Sequence, residues 1–187
     1  MKFDKHILYP QVRNWRRIAL YVLLGGIIGG LYGAVHDQIS YTVSPEYFTA
    51  FKFYQFHYAD FGLPNRVFVG IIGFLATWWV GALAGWFLAR IRFNSDNLST
   101  ARRDIWRGFL IVLYCAVLAL FIGGIVGYIR VNYYPLTEFM GWENELSGDV
   151  LQRFAVVGII HNTSYIGGVV GLITATVLLR LKMKRSE

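Results

Sequence analysis

Four stretches of this chain, 18–35, 67–89, 108–129 and 154–179, contain no Asp, Glu, Lys or Arg. At about 1.5 Å of rise per residue, even the shortest reaches about 27 Å, close to the roughly 30 Å of hydrocarbon in a bilayer. Lipid leaves no water to satisfy backbone N–H and C=O groups, so such segments cross as helices with internal hydrogen bonds. The expected fold is an all-α integral membrane protein, a four-helix transmembrane bundle in a single domain covering residues 1–187. Its outer loops are expected at 36–66 and 130–153. Composition agrees: 56% of residues are hydrophobic and 16% charged, against about 25% charged in soluble domains. One cysteine, Cys115, lies inside an apolar run, which excludes a disulfide framework and a cysteine-based zinc motif.

The charges predict orientation. Lys2, Lys5, Arg13, Arg16 and Arg17 precede the first span, Arg90, Arg92, Arg102, Arg103 and Arg107 occupy the second connection, and Arg180, Lys182, Lys184 and Arg185 follow the last span. By the positive-inside rule these segments face the cytoplasm, with both termini inside. Asp37, Glu46, Asp60, Glu138, Glu143, Glu145 and Asp149 fall in the two connections expected outside. The net charge of +7 is thus a topology signal, and nucleic-acid binding is not expected. A cleaved secretory signal is disfavoured, because the first span is long, rich in glycine and lacks a small-x-small cleavage site. Trp15, Trp86, Trp106 and Trp142 fall near span ends, where interfacial anchors belong.

At an offset of 86 residues the second span aligns with the fourth, pairing Phe68 with Phe154, Thr77 with Thr163, Gly81 with Gly167, Gly85 with Gly171 and Ala89 with Ala175. Small residues four apart share a helical face and let backbones approach closely. Gly25, Gly29 and Gly33 in the first span and Gly123 and Gly127 in the third repeat the device. A tandem repeat of two helical hairpins follows as an expectation, related by an axis along the membrane normal. The loop from Tyr41 to Phe61 is dense in aromatic residues. It is expected to cap the bundle mouth as a lid, with a short amphipathic helix from about Pro45 to Tyr58.

His6 lies in the cytoplasmic tail, while His36, His57 and His161 lie on the outer side. His36 ends the first predicted span beside Asp37 and Gln38; Glu46 and His57 follow in the loop, and His161 sits eight residues into the fourth span. An ionisable group at membrane depth is costly without a partner, which makes His161 the leading functional candidate. Imidazole with carboxylate suits Zn, Fe, Cu or Mn, so His161, Glu46, Asp37, His57 and His36 form the candidate metal set. Gln38, Ser164 and Tyr165 are expected to line the pocket. A plainer account makes His36 and Asp37 a solvated helix end, Glu46 a helix-start acid, His57 an interfacial side chain and His161 a hydrogen-bonded packing residue. Haem between His36 and His161 is disfavoured by their different predicted depths. No carboxylate lies in any span, which counts against an ion-coupled transporter, and the metalloprotease, serine-hydrolase, P-loop and c-type haem motifs are absent.

The segments Tyr32–Ser40, Glu46–Thr49, Ala76–Gly81 and His161–Gly168 resemble a family of bacterial four-span membrane proteins to which no activity is attached. The likeness covers roughly residues 25–175. It implies a bacterial inner-membrane setting and directs attention to Asp37, Gln38, Glu46 and His161; the family position of His36 is often glutamine. The leading expectation is a periplasm-facing polar pocket that binds a transition metal for a redox or metal-handling step. The alternatives are a non-catalytic accessory subunit of a larger membrane complex and a small-solute or ion transporter. Expected partners are membrane lipid and other membrane subunits or further copies of the chain.

Overall fold

The computed structural model describes residues 14–93, 100–136, 141 and 145–185. Lys2, Lys5, His6, Arg13, Glu138–Met140, Trp142 and Glu143 lie outside the described residues. Helices dominate and no strand occurs among the described residues. Four helices are long and apolar enough to cross a membrane: α1 (Trp15–Val43), α2 (Asn65–Phe93), α3 (Ala101–Tyr133) and α4 (Gly148–Lys184). Each overruns the expected span at both ends, because a charge-free window measures only the part suited to hydrocarbon. The internal hydrogen bonds of a helix tolerate polar residues beyond that part. This corrects the expected loop boundaries: α1 continues through His36 and Asp37, and α4 begins at Gly148. Proline punctuates two ends. Pro45 follows the last turn of α1, whose Ser44 N–H donates to the Ser40 carbonyl, and the Pro64 carbonyl accepts from Val67 and Phe68 at the start of α2.

The helices pack chiefly as two hairpins, α1 with α2 and α3 with α4. In the first, backbone meets backbone: a Cβ at Gly81 would overlap the Gly25 carbonyl and crowd Gly29, one at Gly33 would overlap Thr77 and the Gly73 carbonyl, and one at Gly85 would overlap the Tyr21 carbonyl. In the second, glycine meets both backbone and side-chain atoms of residues other than glycine. Gly167 faces Cys115, Ala116 and Ala119, Gly171 faces Val112 and Cys115, Gly123 faces Thr163 and Ile160, and Gly127 faces Val156. Close approach therefore needs glycine on both helices of the first hairpin but on only one at each contact of the second.

The aligned threonines differ in their bonds. Thr77 Oγ1 lies 2.8 Å from the Gly29 carbonyl of α1 and 2.8 Å from the Gly73 carbonyl of its own helix. Among the described residues, Thr163 Oγ1 bonds the Ile159 and Ile160 carbonyls of its own helix alone. Thr77→Val should therefore lower stability in detergent by about 1 kcal/mol, the usual worth of an interhelical hydrogen bond in membranes, while Thr163→Val costs less. Thermal unfolding of the two variants side by side checks the difference.

The two hairpins meet at both ends. At the end bearing the chain termini, Ile18, Tyr21, Leu88, Phe93, Ile105, Phe109 and Leu179 form an apolar core. Buried Asp104 accepts from Arg92 Nε at 3.0 Å and from Lys182 Nζ, tying α2, α3 and α4 together. At the other end the segment after α1 folds back as a π-helical turn at Tyr47–Lys52, an α-turn at Phe53–Gln55 and a 3₁₀ turn at His57–Ala59. Tyr47 and Phe48 are buried against Val69, Phe154 and Val157. This segment, called the cap below, is wound through its first turn more widely than an α-helix.

Candidate functional site

His36, Asp37 and His161 come together where α1 faces α4. His36 is 6%, Asp37 4% and His161 4% exposed, so none is a solvated helix terminus. His36 Nδ1 lies 3.1 Å from Asp37 Oδ1, and His161 Nε2 lies 3.7 Å from the same oxygen. The two imidazoles meet edge to face, their centroids 4.6 Å apart. Equal depth corrects the expectation that these histidines sit at different levels. Haem is disfavoured on other grounds, since rings in edge contact leave no gap for a macrocycle between them.

The surroundings hold the group in place. Tyr47 and Phe48 of the cap lie over His161, with ring centroids 5.0 and 6.3 Å away. Beneath it, Tyr32 Oη and Ser164 Oγ share a hydrogen bond of 2.6 Å that bridges α1 and α4. Lys52, buried in the cap, donates to Gln55 Oε1 at 3.1 Å and lies near the faces of Tyr47, Phe51 and Phe56. Burial pushes the Lys52 pKa below the usual lysine value, while the negative charge of Asp37 draws it back up. The charge of Asp37 is thus felt at Lys52.

Not every expected residue joins this group. Glu46 accepts from Ser44 Oγ at 3.1 Å, and that hydroxyl also accepts from the Tyr47 N–H, so Glu46 takes part in starting the cap. His57 is exposed, its Nδ1 2.9 Å from the Tyr54 carbonyl. Gln38 turns to α2, donating to the Arg66 carbonyl at 2.7 Å. The geometry thus narrows the candidate set to His36, Asp37 and His161, with Ser164 and Tyr165 lining the adjoining cavity and Gln38 outside it. Tyr32 and Lys52 were missed from sequence. Tyr32 lies four residues before His36 and so on the same helical face, a signal that was available; Lys52 is a lone cation in an aromatic segment.

Donor atoms from the three residues all lie within 4.8 Å of one another. His36 Nε2 and His161 Nε2 are buried with no hydrogen-bond partner among the described residues. Leaving such an atom unsatisfied costs about 1–3 kcal/mol. A cavity of about 80 Å³ adjoins the cluster, touching Tyr32, Ser164 and Tyr165 and then the apolar residues of all four helices.

Fold and site define an all-helical chain with four helices apolar enough to span a membrane and a buried His–Asp–His group between its two hairpins. No protein-family model matches the chain, and neither does a curated protein or a solved structure.

Proposed function

We propose that this chain is a bacterial inner-membrane protein with both termini cytoplasmic, built as two repeated hairpins, and that His36, Asp37 and His161 hold one transition-metal ion. The observation that carries the reading is that two buried imidazoles present His36 Nδ1 and His161 Nε2, the latter without a hydrogen-bond partner among the described residues, to one Asp37 carboxylate oxygen. Bonds of about 2.0–2.1 Å to a tetrahedral ion place donor atoms about 3.4 Å apart. The contacts of 3.1 and 3.7 Å to Asp37 bracket that edge. Two imidazoles and a carboxylate suit Zn, Fe or Mn and leave coordination positions free for a small ligand. Such an ion supplies Lewis-acid or redox chemistry, and the dry surroundings strengthen its field.

Metal analysis of the purified chain tests this. About one equivalent of a transition metal is expected after loading, falling below about a tenth in His161→Ala, since loss of a ligand costs at least as much as the 10–100-fold of an outer-shell partner. Absence of stoichiometric metal, with content unchanged in His161→Ala, would end the reading.

A second reading, an accessory subunit of a larger membrane complex, is favoured by a groove on the α1/α2 face. Ala19, Gly26 and Ala82 lie in it between Trp15, Trp78 and Trp86, and its volume is about 620 Å³. Small residues flanked by aromatics suit a packed partner helix. A protein that copurifies in fixed ratio after gentle detergent extraction supports this reading, and an isolated monomer or homodimer disfavours it.

A further inference from the structure

The cavity beneath the cluster is a cleft, and its shape says from where it is filled. Along α1 it runs from His36 to Gly25, about 16 Å at 1.5 Å per residue. At its His161 end, Tyr47 and Phe48 of the cap lie against the imidazole. At its inner end Ala84 and Phe109 belong to the apolar core. The packing between hairpins is sparse, and α1 and α4, which flank the cluster, make few contacts, whereas α1 packs extensively on α2 and α3 on α4. Tyr165, on the wall, is 41% exposed, and Ile28 and Gly168 are only half-buried. The mouth therefore opens sideways, towards what is lipid if the chain spans a membrane.

We propose that this cleft admits a single-chain amphiphile from the bilayer, a long-chain alcohol or carbonyl compound, with its head at His36, His161 and the Tyr32–Ser164 hydroxyls. The apolar wall matches one slender hydrocarbon chain. Hydroxyl and imidazole groups offer hydrogen bonds to an oxygen-bearing head, while the Asp37 carboxylate disfavours an anionic one. This names a substrate class for the proposed site and rests on the membrane reading, but it does not require the metal.

Position 168 provides the test. A Cβ added to Gly168 meets nothing within 4 Å, so a larger side chain there projects into open space without disturbing helix packing. In vesicles, a hexadecanol carrying a photoreactive diazirine should label the cleft wall at Ile28 and Leu113 saturably. Unlabelled hexadecanol should compete better than palmitate, and Gly168→Leu should cut labelling at these positions by about tenfold while thermal stability holds, since it fills space without overpacking. Labelling that survives Gly168→Leu, that does not saturate, or that matches the exposed positions Leu31 and Val35 overturns the proposal. Chelator treatment separates the two readings: saturable labelling persists in metal-stripped protein if the cleft binds the chain, whatever the metal content of the cluster.

Discussion

A single methyl group at position 81 should pull the first hairpin apart, while the same group at position 124 should leave the protein intact. Both changes replace glycine by alanine inside a helix, which on intrinsic propensity alone gains about 1 kcal/mol. At Gly81 the new Cβ falls on the Gly25 carbonyl and within 3.0 Å of the Gly29 Cα. Neither is the end of a flexible side chain, so α1 and α2 must separate. Parting them weakens every neighbouring contact, including the Thr77 bond to Gly29. At Gly124 the nearest atom is the end of the Ile160 side chain, 4.0 Å away. Gly81→Ala is therefore expected to lose about 3 kcal/mol or more, the upper range for overpacking, and Gly124→Ala to lose nothing. Thermal unfolding in detergent reads the difference, and equal melting temperatures would refute the account of the hairpin.

The long helices were legible because hydrocarbon-length apolar runs have few other uses. Glycine spacing pointed to the faces that pack, as the contacts of Gly25, Gly29 and Gly33 with α2 show. What sequence could not supply was the rotation of one hairpin against the other. Asp37 looked like a residue leaving the membrane because the apolar window ends just before it, yet α1 continues for six residues to Val43. Only with that continuation does Asp37 face α4. Glu46 and His57 entered the candidate set by residue type, and local hydrogen bonds to Ser44 and Tyr54 account for them instead. At the offset of 86 residues, His161 aligns with Leu75, so the aligned helix of the first hairpin carries no imidazole at that level. A symmetric pattern therefore located the packing and was silent about the polar group, which arises where the two hairpins differ.

Opposite changes in metal affinity are expected from two residues that both belong to the same electrostatic group. Asp37→Asn keeps the shape of the side chain but removes the only carboxylate of the cluster, and should weaken binding of a divalent ion by about 100-fold or more. Lys52→Gln should strengthen it by roughly tenfold. The reason lies in the signs of the charges: Lys52 is buried in the cap, within reach of the field of Asp37. An arriving dication is attracted by the carboxylate and repelled by the ammonium in surroundings of low dielectric, where each charge weighs several times more than in water. Glutamine at position 52 keeps a polar tip to meet Gln55, the hydrogen-bond partner of Lys52, and removes the repulsion. Titration of metal-free protein with Zn or Mn, followed by calorimetry, distinguishes this from a purely structural role. If Lys52 and Asp37 only brace the cap, both substitutions lower stability and neither changes metal affinity in a charge-dependent direction. Affinities that move in contrary directions would mark the proposed metal site as one that Asp37 and Lys52 tune through charge.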